Sequence, residues 1–395
     1  MTEIPDYKEL LKKDGLTDAD KKILQACIDA GSQSKAAKLL GFHRRTVERA
    51  VAVIKDGKKQ KEEVTPIQEH KLKLTTKGLQ RRNKELLAEL VEAQNTISVM
   101  SAIKTPKVKA KPFKRSKSQH TVIASAFLSD THLDEVVCKA QTGGINAYNR
   151  TIAERRLEGF VNKCLTTSHD LLNFNIERLD VPLGGDMVSG NIHEELARTN
   201  QAEIMDTVNH WSEKIAEALI SLSKEYPELY VPCVVGNHGR NTKKVRHKGR
   251  IQDNFDWLIY MTAQRIVLSS TANVKFDVSE HTDALWKAYD STYCLTHGDQ
   301  ASGGGGWGGI ASPIMRLNDK KSRTYASLNT PYRYLLMGHW HQFKDFGNIL
   351  VNGSLKGYDE FAKNLNFEPE PPQQAFWITA PKKGKIMSMP LFVDE

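Results

Sequence analysis

Eight residues in five short motifs carry the chemistry this chain could do. Asp130 and His132 stand in Ser129-Asp130-Thr131-His132, and Asp186 ends Gly184-Gly185-Asp186. Asn237 and His238 end Gly236-Asn237-His238, His297 opens His297-Gly298-Asp299, and His339 and His341 flank Trp340 after Gly338. Each motif follows an apolar run, the place where a strand ends and a loop opens to solvent. Imidazoles and carboxylates repeated at strand ends read as ligands for divalent cations. Oxygen donors mixed with imidazole nitrogen suit manganese, iron, zinc or nickel, and sequence does not choose among them. Satisfied core histidines beside strands would explain one or two such positions, not all eight.

The elements that must position these groups follow from the apolar pattern. Candidate strands are Val122–Leu128, Leu179–Leu183, Leu229–Val235, Ser291–Cys294, Tyr334–Met337, Ile349–Asn352, Ala375–Thr379 and Met387–Phe392. Candidate helices are Thr151–Ser168, Gln201–Glu225 and Ile251–Ser269. Strands alternating with helices predict an α/β layered domain over residues 119–395, with sheets flanked by helices. The run of late strands hints at a second sheet.

The N-terminal third differs in kind. Residues 1–119 hold 27 Lys and Arg against 15 Asp and Glu, while the remainder is slightly acidic, so the net charge of +9 belongs to this arm. A basic arm suggests a polyanion partner; a merely solvated surface is the other reading. Residues 1–57 predict a small all-α domain with helices over Asp18–Ala30, Ser34–Leu40 and Arg44–Lys55. The spacing of Ala37, Gly41, Val47 and Ala50 resembles the helix-turn-helix of DNA-binding proteins, with Arg44, Arg45, Thr46 and Arg49 on the outer face of the last helix, where they could reach phosphates and base edges. A three-helix packing or protein-docking domain is the alternative. Residues 58–118 read as a linker. Within it, residues 79–100 carry about three heptads with Asn83 at a core position, which predicts a coiled-coil-like helix and a homodimer, or else one amphipathic helix packed on the following domain. Residues 104–117 form a basic tether with no acid.

Apolar content of 39% and charged content of 26% fit a soluble globular protein. No apolar run approaches the ~20 residues of a membrane span, so no membrane association is expected. The first residues lack the basic and apolar regions of a secretory signal, and five scattered cysteines form no CxxC, so a reducing cytoplasmic location is expected.

In order and content, the five motifs make residues 122–354 resemble the calcineurin-like metallophosphoesterases, a superfamily of binuclear-metal phosphatases, phosphodiesterases and DNA-repair nucleases. Val351-Asn352-Gly353-Ser354 also resembles that family's turn after its last motif. The resemblance implies two divalent metal ions, manganese foremost, with iron, zinc or nickel as alternatives. One ion would take Asp130, His132 and His341, the other Asn237, His297 and His339, and Asp186 would bridge them. A shared carboxylate offsets the repulsion of two close cations, and a hydroxide between the metals would attack phosphorus. His238 would act as general acid or cationic stabiliser of the transition state.

One departure stands out. The family's GNH is usually followed by an acid that could orient the imidazole, whereas Gly239 and Arg240 follow here. Asp253 and Asp256 are sequence-near substitutes; failing these, His238 is less basic. Arg240 is a candidate phosphate ligand. His193, in Gly190-Asn191-Ile192-His193, and Trp307, in the run Gly303–Gly309, are candidate substrate contacts, the glycine run being otherwise a mobile lid or a bend. These two loops resemble bacteriophage-encoded family members. Lys320, Lys321 and Arg323 read as solvated surface.

Together the arm and the motifs predict a DNA-directed, metal-dependent phosphodiesterase, that is, a nuclease. The alternatives are a phosphomonoesterase or small cyclic-nucleotide phosphodiesterase with an N-terminal oligomerisation module, or a DNA-binding protein with a vestigial metal site.

Overall fold

A strand covered on both faces must be apolar along its whole length, and β1 (Thr121–Ala126) is buried at every residue but its first. The computed structural model describes residues 6–56, 78, 81–84, 87, 120–301 and 309–394. β1 lies inside a six-stranded sheet of order β11-β10-β1-β2-β3-β4. Its members are β2 (Asn175–Asp180), β3 (Leu229–Cys233), β4 (Val274–Val278), β10 (Gln373–Ala380) and β11 (Gly384–Phe392). Strands β1 to β4 pair in parallel, and β10 returns antiparallel to β1. A second sheet runs β5-β6-β7-β9-β8. It comprises the hairpin β5 (Asp283–Ala288) and β6 (Ser291–Thr296), then β7 (Tyr334–Met337), β8 (Lys344–Asp345) and β9 (Ile349–Val351), with β6, β7 and β9 parallel.

Alternation along each strand divides the core into layers. Ile123, Phe127 and Trp377 of the first sheet meet Trp286, Tyr293 and Leu336 of the second in one buried cluster, with the Trp286 and Tyr293 rings stacked 5.4 Å apart. Val122, Ala124 and Ala126 point the other way, toward α5 (Arg150–Thr166), α7 (Ile204–Ser223) and α8 (Phe255–Ser270), which contribute Phe160, Trp211 and Ile259. The outer face of the second sheet packs on α9 (Ala311–Ser327) through Leu335, Met337, Ile314 and Leu317. The result is helices, sheet, sheet, helix, completed by short α6 (Glu194–Thr199) and α10 (Glu360–Asn364). Parallel pairing puts the carboxyl ends of β1, β2 and β3 on one edge, and those of β6 and β7 on one edge of the second sheet. Open α/β sheets place their ligands at such edges.

The α/β expectation holds, with local differences. The second strand begins four residues earlier than expected, because β2 pairs from Asn175 with Thr121. The late strands β10 and β11 join the first sheet, not the second. Strands β4, β5 and β8 and helices α6, α9 and α10 lay outside the expectation. The polar stretch at 311–327 becomes a helix because a narrow apolar stripe, Pro313, Ile314 and Leu317, suffices to cover the second sheet. Lys321 on that helix is not solvated: it is buried and pairs with Asp283 at 2.6 and 2.7 Å.

The chain divides into two compact units, Met1–Leu90 and Val91–Glu395. In the first, α1 (Tyr7–Leu10), α2 (Asp18–Ala30), α3 (Gln33–Leu40) and α4 (Arg44–Asp56) enclose Leu24, Cys27, Ala36, Ala37, Val47 and Val51. Thr17 and Asp20 form a reciprocal cap on α2, and Gly31 and Gly41 end α2 and α3 at φ 68° and 71°, the left-handed termination that glycine adopts without strain. Lys13 Nζ donates to the carbonyls of Ile54 and Lys55 at the end of α4. Leu39 of α3 is exposed. Most of the expected 79–100 helix and the whole 104–117 tether lie outside the described residues.

Candidate metal centre

The loops after β1, β2, β3, β6 and β7 converge. Asp130, His132 and His341 offer ligand atoms within 4.8 Å of one another; so do Asp186, His297 and His339, and so do His132, Asp186 and His238. His132 and Asp186 each belong to two trios, so the groups form one continuous cluster. Asn237 joins it through Oδ1, 3.1 Å from His297 Nε2.

Backbone geometry explains the motif residues. Asp130, His132, Asp186, His339 and His341 all adopt positive φ, between 45° and 69°. That conformation is uncommon for residues with a Cβ and costs of order 1–3 kcal/mol at each, so the surrounding packing must enforce it. Two glycines are required by close approach. A Cβ on Gly236 would collide with Asp186 Oδ1, and one on Gly338 with Asp130 Oδ2. Each of these two glycines thus leaves room for a carboxylate from another loop.

The donor arrangement calls for cations. His132 Nε2 and His341 Nε2 face each other at 3.0 Å. His297 donates Nδ1–H to the Gly184 carbonyl at 2.9 Å, which turns Nε2 toward Asp186 Oδ2 at 3.0 Å and Asn237 Oδ1 at 3.1 Å. Neutral imidazole there would press a lone pair against two oxygens; either a proton or a metal ion resolves the conflict. Burial disfavours charge on His297, but the Asp186 carboxylate outweighs it and pushes the pKa up to about 10. Burial, helped by the Lys356 charge, lowers His132 to about 3, and burial with the His297 charge lowers His339 to about 4. Neutral imidazoles and ionised carboxylates are the metal-binding forms. Asp130 and Asp186 are held ionised against burial, chiefly by His341 for the first and His297 for the second. The donor set therefore fits divalent cations.

Neither sequence-near carboxylate orients His238. The ring donates Nδ1–H to the Ser189 carbonyl at 2.8 Å, and burial lowers its pKa although Asp186 acts in the opposite direction. Asp256 instead accepts from the backbone N–H groups of Asp186 (2.9 Å), Met187 (3.1 Å) and Gly236 (2.9 Å), tying two ligand loops together. Burial and the Asp186 charge push it up to about 7. Asp253 bonds Asn241.

Sequence reasoning missed a polar network behind the ligands. Glu135 Oε2 lies 3.4 Å from His132 Nδ1, and Glu135 Oε1 accepts from buried Lys356 Nζ at 2.9 Å, which also binds Asp359. The carboxylate therefore stands behind the His132 ring at ion-pair distance, without a hydrogen bond to Nδ1. Ser129 Oγ donates to Asp130 Oδ2 at 2.6 Å; Asn352 donates to Ser129 Oγ at 2.9 Å; Ser354 Oγ donates to the Asp130 carbonyl at 2.8 Å. The 351–354 turn thus braces the Asp130 loop. Ser129, Asn352 and Ser354 already stood in the sequence motifs, and Glu135, three residues beyond His132, was also within reach of a sequence reading.

The remaining candidates fall as follows. The Arg240 guanidinium is engaged by the carbonyls of Thr242 (2.9 Å), Asn237 (3.3 Å) and Lys243 (3.2 Å), so it shapes its own loop. His193 is exposed, with its ring 5.6 Å from that of His238. Trp307 lies outside the described residues. Arg44, Arg45, Thr46 and Arg49 are all exposed on α4, and Arg44 pairs with Glu48 at 2.6 Å. No described helix is long and apolar enough to cross a membrane.

No family model and no curated protein matches the chain. Among solved structures, the zinc-complexed Vps29 of Entamoeba histolytica is similar at 11% identity and TM-score 0.25, over 69% of this chain and 99% of its own. Vacuolar Protein Sorting 29 of Cryptosporidium parvum is similar at 12% identity and TM-score 0.28, over 68% and 96%. A conserved Streptococcus pneumoniae protein described as a predicted phosphoesterase is similar at 10% identity and TM-score 0.25, over 68% and 95%. At such identities and TM-scores, the functional reading rests on the site itself.

Proposed function

We propose that this protein is a metal-dependent phosphodiesterase that hydrolyses DNA. The observation that carries the reading is the continuous ligand cluster, in which Asp186 and His132 each belong to two trios. That pattern suits two adjacent divalent cations sharing one carboxylate. Asp130, His132 and His341 would hold one, and Asn237, His297 and His339 the other, with Asp186 between. Bound cations would supply Lewis-acid stabilisation of phosphoryl charge and a lowered pKa for water. Asp186 is positioned for a shared role because its Oδ1 is fixed by the His238 backbone N–H at 2.7 Å and its Oδ2 faces His297. With Nδ1–H committed to Ser189, His238 exchanges protons only at Nε2, so it takes a proton there and delivers it to the departing oxygen. The DNA part of the reading is supported by the basic N-terminal third and by the exposed Arg45, Thr46 and Arg49 on one helix.

The test is manganese-dependent cleavage of single-stranded, duplex and circular DNA by the wild type and by His339→Ala, beside a phosphomonoester and a small bis-ester. DNA cleavage by the wild type alone is expected. Turnover of the small esters without DNA cleavage would replace the nuclease with a phosphatase.

A further inference from the structure

Directly after Asn237 and His238, residues 240–250 bring six cations and no acid: Arg240, Lys243, Lys244, Arg246, Lys248 and Arg250. The segment is a built loop. Phe255 N–H donates to the Gly239 carbonyl at 2.7 Å and Asp253 N–H to the Gly249 carbonyl at 3.0 Å, closing its base. Arg240 curls the chain by binding three backbone carbonyls. Arg250 grips Asp299, two residues beyond His297, with bonds of 2.7 and 2.8 Å. The loop is thereby anchored to two metal-ligand segments.

A concavity is lined by Gly236 and Asn237 together with Arg246, Lys248 and Arg250 of the loop. The acids that line it are already engaged: Asp299 with Arg250, and Asp253 with Asn241 and, at 3.9 Å, Arg246. Lys243, Lys244 and Lys248 are exposed and have no carboxylate partner among the described residues. Charge that packing does not use, displayed beside a metal centre on an anchored loop, is placed to neutralise an extended anion. A single small phosphoester would fill the metal centre without reaching such a row of cations.

We infer that the 240–250 loop and its concavity bind the sugar-phosphate backbone of a DNA strand next to the bond being cut. This rests on the nuclease reading and names the surface that distinguishes a polynucleotide from a small ester. Strand affinity then depends on salt through the loop lysines, independently of α4.

The test measures binding of a labelled single-stranded deoxyoligonucleotide of about eight nucleotides, the scale of one compact single-strand site, by anisotropy across a sodium chloride series in EDTA. All proteins are full-length and carry Arg44→Ala, Arg45→Ala and Arg49→Ala, so that α4 contributes little. Removing one phosphate-neutralising cation lowers the slope of log affinity against log salt by about 0.7 for single strands, so Lys243→Ala, Lys244→Ala and Lys248→Ala together should lower it by about 2. Replacing the same three by Arg should restore it. An unchanged slope in the alanine protein overturns the inference, as does failure of the arginine protein to recover. Wild-type cleavage, measured separately, reports on the parent reading. DNA cut with an unchanged slope sinks the loop alone; a loop-dependent slope without any DNA cleavage sinks the nuclease alone.

Discussion

The helical unit and the candidate metal centre put charge to opposite uses. In the helical unit the cations Arg45 and Arg49 stand exposed on one helix, and the fold needs only its small apolar centre and its caps. Around the candidate metal centre of the α/β unit charge lies inside: Lys356, Glu135, Asp130 and Asp186 are all at most 5% exposed, and each is answered by a partner from a distant segment. Exposed charge is cheap and adjustable, whereas buried charge is tolerated only where every partner is in place. The first arrangement suits a surface that binds a long polyanion, the second a centre that must hold ligands in one geometry.

The largest effect is expected at Lys356. Lys356→Met leaves Glu135 and Asp359 buried without their cation, and should cost about 3–5 kcal/mol. Chemical denaturation should show the α/β transition falling while the helical transition stays. Both carboxylates face a burial cost that Lys356 more than offsets, holding them below their usual values. A depressed carboxylate contributes stability above its unfolded pKa and loses it as pH falls through the folded one. The deficit of the variant should therefore be full at neutral pH and shrink as pH drops below about 4. A deficit independent of pH would assign the cost to packing.

A middle-sized effect is expected at the other unit. Arg45→Ala with Arg49→Ala should lower the salt slope of duplex DNA binding by about 2, roughly one for each phosphate the pair neutralises. Metal affinity, read by calorimetry, should not move. Equal loss of both properties would mean that the surfaces are not separable.

The smallest effect tests how local the helical unit is. Thr17→Ala removes the side-chain acceptor for Asp20 N–H and should cost about 1 kcal/mol in that unit's transition alone. A shift in the α/β transition would show that the caps matter beyond their own helix.

The candidate ligand residues were legible because they are marked by local chemistry: a strand end, a donor side chain and, at Gly236 and Gly338, a glycine that clears space. Helices α2, α3 and α4 were legible for a similar reason, since period and caps lie within a dozen residues of each other, whereas the single turn α1 was not. The second sheet was less so. Its short strands and the polar helix α9 take their places from burial against partners far along the chain, as Lys321 shows by pairing with Asp283. What orients His238 was also hidden, because a backbone carbonyl such as that of Ser189 carries no side-chain signature.

The sequence by itself determined the class of chemistry, since five motifs of carboxylate, amide and imidazole admit few uses besides metal binding. It also determined the α/β layering and the separation of a basic arm from a neutral body. Only the tertiary structure decided which trios form, that Arg240 shapes a loop, that Asp256 ties loops together, and that Glu135 and Lys356 stand behind His132. Those outcomes depend on contacts between residues up to 221 positions apart. Donor type is a property of the residue; donor direction is a property of the packed backbone.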